Sequence, residues 1–252
     1  MGNSRINYHL LAMKKIFLPL FVYAFTLFSL QSCDPSDFQD DPELRGTSTR
    51  NFSFTKFDEL EAGNSFYVNV KAGSTYSVSA TGEQNDLDDL AVFTEDGELV
   101  MRYKEPWKKR RYKMTIDITM PSLSGVEFSG AVKSEISGFE NAKEIDFELS
   151  GASKCNFNGT ARLIEMDLSG ASYLNLKGNG QFLDGELSGA SEVRSFEYAV
   201  QESNIKLSGA SDAKILVTGF LNVDASGASR LRYQGNPKIQ KKVSGGSSVS
   251  QD

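Results

Sequence analysis

The residues best able to do chemistry in this chain are carboxylates that recur at a near-fixed interval. Glu127, Glu148, Asp167 and Glu186 stand 21, 19 and 19 residues apart. Asp146, Glu165 and Asp184 each lie two residues before one of them. If the interval is one turn of a coil, six acids (Asp146, Glu148, Glu165, Asp167, Asp184, Glu186) share one face of three successive turns. Like charges stacked across neighbouring strands repel. Calcium, which takes carboxylate oxygens, would relieve them. A pair of carboxylates could instead serve as acid and base in glycoside hydrolysis. The plainer reading is a solvated acidic wall that keeps the protein soluble. Lys206 and Lys242 fall in the same column and are expected two or more coils from the acids.

Other nucleophiles lack activation. The motif Ser-Gly-Ala begins at Ser129, Ser150, Ser169, Ser188, Ser208 and Ser226, and a Ser-Gly-Gly variant begins at Ser244. A serine array needs a base, and the only histidine is His9, inside a segment that reads as a removed signal. The processed chain therefore has no imidazole, which excludes Ser-His-Asp and Cys-His catalysis and histidine-bound zinc. Cys155 is then the one thiol left apart from the processing cysteine. It falls in an inward column and is expected to be buried.

That signal is "MKKIFLPLFVYAFTLFSLQSC" (13–33): two lysines, an apolar run, and a small residue before Cys33. Translation could start at Met1 or Met13. "LQSC" resembles a bacterial lipobox, in which the cysteine is lipidated and becomes the first residue. Two or more acyl chains suffice for stable anchoring. Loss of 1–32 removes three basic residues and no acid, taking the formal charge from −6 to −9. Such a balance argues against a nucleic-acid partner. The acidic tether that follows, 33–49, resembles the export signal of surface-exposed lipoproteins. The one basic cluster is "KEPWKKRRYK" (104–113), which holds Trp107, the sole tryptophan. It could hold an anionic glycan or a lipid headgroup, with Trp107 stacked on a sugar face; otherwise it is a solvated loop.

The elements that must position these groups follow from the repeat. Successive serines of the motif are 21, 19, 19, 20, 18 and 18 residues apart. A period near twenty signals a β-solenoid. Apolar residues recur one and three places before each motif serine (Leu149, Leu168, Leu187 and Leu207 form one such column), and five and seven places after it. Polar residues lie between them, the period-two pattern of a strand. Each coil is therefore expected to hold two short strands flanking a small-residue corner. Glycine supplies the backbone conformation there, and the serine hydroxyls are expected to bond along their own ladder and to nearby backbone. Residues 50–121 read as a β-rich region that begins and caps the solenoid. In it, Asp96-Gly97 marks a hairpin.

The train of L-S-G-A-S units, led in by "TMPSLSGVEFSGA" (119–131), resembles the family described as "Putative auto-transporter adhesin, head GIN domain", over roughly residues 50–250. The resemblance implies a right-handed parallel β-helix, the hand also expected for parallel crossovers. Polysaccharide lyases on β-helices are similar in using acidic clusters with calcium, but they need a base to take a proton. The sequence thus predicts an all-β chain: signal peptide 1–32, tether 33–49, cap 50–121 and parallel β-helix 122–250. The predicted function is a lipid-anchored, surface-exposed outer-membrane module that binds a glycan or a surface protein. A carbohydrate-active enzyme is the alternative. The sequence sets neither ligand nor oligomeric state.

Overall fold

The computed structural model describes residues 43–108 and 110–252. Cys33, the signal and residues 33–42 of the tether lie outside the described residues. Among those described, seventeen strands join into one continuous hydrogen-bonded sheet. They are β1 (Thr47–Phe52), β2 (Glu59–Ala62), β3 (Tyr67–Ala72), β4 (Ser77–Glu83), β5 (Leu90–Glu95), β6 (Glu98–Tyr103), β7 (Thr115–Met120), β8 (Gly125–Phe128), β9 (Lys133–Ser137), β10 (Ala142–Leu149), β11 (Lys154–Leu168), β12 (Tyr173–Leu187), β13 (Glu192–Leu207), β14 (Asp212–Ala225), β15 (Arg230–Gln234), β16 (Lys238–Val243) and β17 (Ser248–Gln251). One short helix, α1 (Gln84–Asp89), interrupts them.

Strands β8 to β17 pair in parallel, each with the strand one coil earlier. This is a β-helix with the chain as its own neighbour. Leu149 pairs with Leu168, Leu168 with Leu187, Leu187 with Leu207 and Leu207 with Ala225, all of them buried. A further inward column (Ile145, Ile164, Leu183, Ser203, Leu221) adds to those read from the sequence. The interior is dry and aromatic in places. The Phe147 and Phe157 rings meet edge to face at 5.5 Å, an arrangement favoured by the ring quadrupoles. Tyr198 is fully buried beside them, and its hydroxyl accepts from the Ala161 N–H at 3.1 Å.

Ser-Gly-Ala-Ser is the corner of each coil. Its glycines (151, 170, 189, 209, 227) all have φ between +67° and +75°, a region open to glycine and costly for other residues. They also stack directly: a Cβ on Gly170 would lie 2.5 Å from the Gly151 carbonyl oxygen. The following alanine N–H donates to the glycine carbonyl one coil back at 2.7 Å in four successive corners, from Ala171 to Ala228. The final serine of each motif is buried. In four of these corners (Ser153, Ser191, Ser211, Ser229) the hydroxyl turns back to the backbone, as Ser191 does to the Ser188 carbonyl at 2.8 Å and the Leu168 carbonyl at 3.1 Å. The expected serine-to-serine ladder is absent among the described residues, because the corner carbonyls are nearer acceptors. The two-short-strand coil is also corrected: β11 to β14 each run unbroken for 14 to 16 residues between corners.

Spatial order departs from chain order at the start. The rung β2–β3 lies between the rung β6–β7 and the rung β8–β9. Asn64, at φ +65°, takes the corner place that glycine holds later, and the Ala131 N–H donates to its carbonyl at 2.6 Å. Asparagine is the ordinary residue most tolerant of that conformation. The outer edges of β6 and β7 are covered by antiparallel β5 and β4, and β1 pairs antiparallel with β4 in turn. Reversing direction ends the parallel stack and leaves no open rung there. Asp96 and Gly97 both have positive φ, as a type I′ hairpin requires.

Gly170→Ala should destabilise by roughly 2–4 kcal/mol through backbone strain and the carbonyl clash. Ser191→Ala should cost about 1 kcal/mol. Ser172→Ala should be neutral or stabilising, since the buried Ser172 hydroxyl has no partner. Denaturant midpoints of the three variants check the ranking; equal losses would mean the corners are not held as described.

Candidate functional site

The two residues preceding each corner by two and four places point outward from the coil, and the register lines them up. Asp146 pairs with Glu165 and Glu148 with Asp167; Glu165 pairs with Asp184 and Asp167 with Glu186. All six carboxylates line one groove of about 630 Å³. The opposite end of the groove is formed by Asn204, Lys206, Asn222, Asp224, Lys241 and Lys242. It therefore runs from an acidic half to a mixed and basic half.

Lys206 is not remote from the acids. It pairs directly with Glu186, its Nζ donating to the carboxylate at 2.5 Å. The coil between Ser188 and Ser208 brings it one rung away, not two. This bond holds the Lys206 ammonium above the usual lysine range, so it stays protonated and is a poor base. Lys242 pairs with Asp224 at 3.2 Å, and Asp184 accepts from the Asn204 backbone and side-chain amides at 2.9 and 3.0 Å.

The first two rungs of the ladder have no such partners. Among the described residues no base forms an ion pair with Asp146, Glu148, Glu165 or Asp167. Burial, then repulsion from neighbouring acids, lifts Glu148 and Glu165 above the ordinary carboxylate range. Asp146 is raised by burial too, against a backbone hydrogen bond, with Glu144 and Asp167 adding to the rise. The ladder also continues where sequence reasoning did not follow it. Glu61 pairs with Glu127, which pairs with Glu148; Glu59 stands beside Gly125, and Glu98 beside Glu59. Glu98 is raised by burial and by Glu61 and Glu127. The signal was present in "ELEAGN" (59–64), whose alternating acids end at the left-handed Asn64.

Calcium has no ready ligand set here. Among the described residues no three acidic, thiol or imidazole groups come together as a metal site, because the carboxylates form outward parallel rows rather than converging. Cys155 is fully buried, and burial pushes its thiol up to about 12, which makes it inert. Trp107 is 72% exposed in the loop between β6 and β7. The basic cluster around it is largely occupied by structure. Arg111 bonds to Asp86 at 3.1 Å and to Asp89, and lies 3.8 Å over the Tyr103 ring. Lys104 donates to the Asp88 carbonyl at 2.9 Å.

A carboxylate whose folded pKa is raised binds more protons folded than unfolded, so stability falls as pH rises through its folded pKa. The wall acids should therefore make the protein more stable as pH drops from 7 into the carboxylate range, down to the unfolded values of about 4. Below that, Glu83 and Asp88 work in the opposite direction. Glu83 is held low by backbone N–H donors at the start of α1, against a burial effect, and Asp88 is held low by Gln84 and two arginines. Glu148→Gln combined with Glu165→Gln should raise stability at pH 7 and flatten the gain on acidification, read from denaturant midpoints across pH. An unchanged slope would mean that these acids do not repel one another.

No curated protein sequence matches the chain. Solved structures do match in fold. One is a protein from Bacteroides fragilis titled a putative adhesin, 18% identical with a TM-score of 0.71, covering 82% of this chain and 96% of its own. Another, from Parabacteroides distasonis and also titled a putative adhesin, is 20% identical with a TM-score of 0.66, covering 82% and 97%. A third, from the same species and titled "Putative lipid binding protein", is 17% identical with a TM-score of 0.64, covering 83% and 98%. Residues 56–237 match the model of one sequence family. With its glycine corners and stacked rungs, the chain belongs to the family described as "Putative auto-transporter adhesin, head GIN domain".

Proposed function

We propose that the chain is a non-catalytic binding module of the cell surface, held to the outer membrane by lipid on Cys33, whose acidic groove docks an extended cationic partner. The observation that carries this reading is the uncompensated ladder Asp146, Glu148, Glu165 and Asp167. Elsewhere on the coil, stacked acids meet a base from the next rung, as Glu186 meets Lys206 and Asp224 meets Lys242. A repeat that can place such a base, and here does not, leaves carboxylates for an outside cation. An extended basic segment running along the coil axis would meet one pair of acids per rung, at the ~4.8 Å strand spacing. The binding names of the solved relatives fit a module of this kind.

The rival reading is cleavage of a glycan by a carboxylate pair, favoured by the raised Glu148 and Glu165 in a groove. A lyase would find Lys206 and Lys242 both ion-paired; in hydrolysis a carboxylate is itself the base, so turnover is what separates that reading from binding.

Poly-L-lysine should bind the purified chain with an affinity that falls steeply with salt. Glu148→Lys with Asp167→Lys should abolish it, while dextran sulfate should not bind. Equal binding by wild type and variant would exclude the groove. A glycan-array hit that is then cleaved, with turnover lost in Glu148→Gln, would replace the module with an enzyme. For the anchor, Cys33→Ser should move the protein from the membrane to the soluble fraction; retention there would remove the lipid from this account.

A further inference from the structure

Four large apolar side chains are exposed among the described residues: Leu44, Trp107, Ile239 and Val243. Two of them, Leu44 (56% exposed) and Trp107 (72%), belong to segments fastened to the same short helix at the capped end. Beside Leu44, the Asn85 side chain donates to the Glu43 carbonyl at 3.0 Å, and Arg45 pairs with Asp88 at 2.8 Å. On the other segment, Lys104 donates to the Asp88 carbonyl, and Arg111 bonds to Asp86, Asp89 and, at 2.6 Å, the Glu105 carbonyl. Both strong contacts of Arg111 are largely shielded from water, its side chain being 17% exposed. The loop is thus braced on both sides of Trp107, and the ring is presented rather than left to find a place in the core.

We propose that this capped end faces a lipid bilayer, with Trp107 and Leu44 seated in the headgroup region as a second attachment beside the anchor. The proposal rests on the anchor reading at Cys33. Glu43 lies ten positions beyond Cys33, a reach of at most about 35 Å, so a lipid on Cys33 keeps α1 and its two flanking segments near the membrane. Tryptophan, with an apolar ring and a polar N–H, favours that interface. The stretch 104–113 carries six basic residues against one acid, but Arg111 and Lys108 are held by Asp86, Asp89 and Glu105, so the exposed Trp107 and Leu44 carry the contact and charge adds a smaller share. Tethering makes the contact effectively intramolecular, so even a weak interaction is populated. The uncompensated acids of the groove would be repelled by the same surface, which leaves them facing outward.

Trp107 is the sole tryptophan, so its fluorescence reports on this contact alone. Residues 34–252 with an N-terminal hexahistidine in place of Cys33 are attached to phosphatidylethanolamine–phosphatidylglycerol vesicles through a nickel-chelating lipid. This supplies the tether whether or not Cys33 is lipidated in the cell, so the outcome is independent of the Cys33→Ser fractionation. The expected result is a blue-shifted emission, quenching by brominated acyl chains, and several-fold less quenching by aqueous iodide. Leu44→Asp should reverse these changes in part. Emission and iodide quenching identical with and without vesicles would overturn the proposal. So would a shift produced by a soluble glycan but not by vesicles, which would assign Trp107 to a sugar.

Discussion

The structure depends on backbone meeting backbone at the corner. Consecutive glycines stack so closely that the carbonyl of one occupies the place where the next would carry a Cβ. The alanine N–H that follows then closes a 2.6–2.7 Å bond to the coil before. From Gly130 onward, where each corner stacks on the one before, only a residue without a side chain, in the left-handed region, allows both. That fixes the start of every rung, and with it the register of everything between corners. A shift of one residue would turn the apolar columns outward and the acids inward, so the corner protects the core and the charged face together.

A coil with fixed register repeats its surface as faithfully as its interior. An outward position filled by the same residue type on each turn becomes a row of like charges. The chain resolves this in two ways on one face. From Glu186 onward a base is set against an acid on the adjacent rung, and the potential alternates. Between Glu59 and Asp167 no such exchange occurs among the described residues, and Glu98, Asp146, Glu148 and Glu165 are raised by burial and by neighbouring acids. Surface ion pairs add little stability, so their absence costs little as such. What the acidic half sustains is a repulsion that any of several single substitutions would relieve. In a scaffold built of interchangeable rungs, a retained local penalty points to use rather than to necessity.

Much of this is legible in the sequence, and the exceptions have a common cause. The columns of Leu149, Leu168, Leu187 and Leu207 and the alignment of six carboxylates follow directly from counting between identical corners. Where the corner is spelled differently, the counting fails. Asn64 replaces glycine, so the rung of β2 and β3 is hidden, and with it Glu59, Glu61 and Glu98 as the continuation of the acid ladder. The insertion of that rung between two later ones leaves no local pattern at all, because it is set by which edges are available when β6 and β7 return. The long strands are also invisible to period-two reasoning. At Gly159 and Gly178 the chain bends without leaving its ladder, and Tyr198 fills the space beside them from within. Of the two partners expected for the corner serine hydroxyls, a ladder of their own and nearby backbone, they take the backbone, because carbonyls three residues back are nearer.

The two ends of the solenoid answer the problem of exposed strand edges differently. The capped end reverses direction through β4 and β5 and ties itself with the Arg111 cluster. In the last described rung β16 is exposed along its length and carries Lys241 in the column that holds Val126, Phe147 and Val223 in earlier rungs, while Val249 of β17 is half-buried against the core. An exposed charge in that column of the last described rung disfavours addition of another strand.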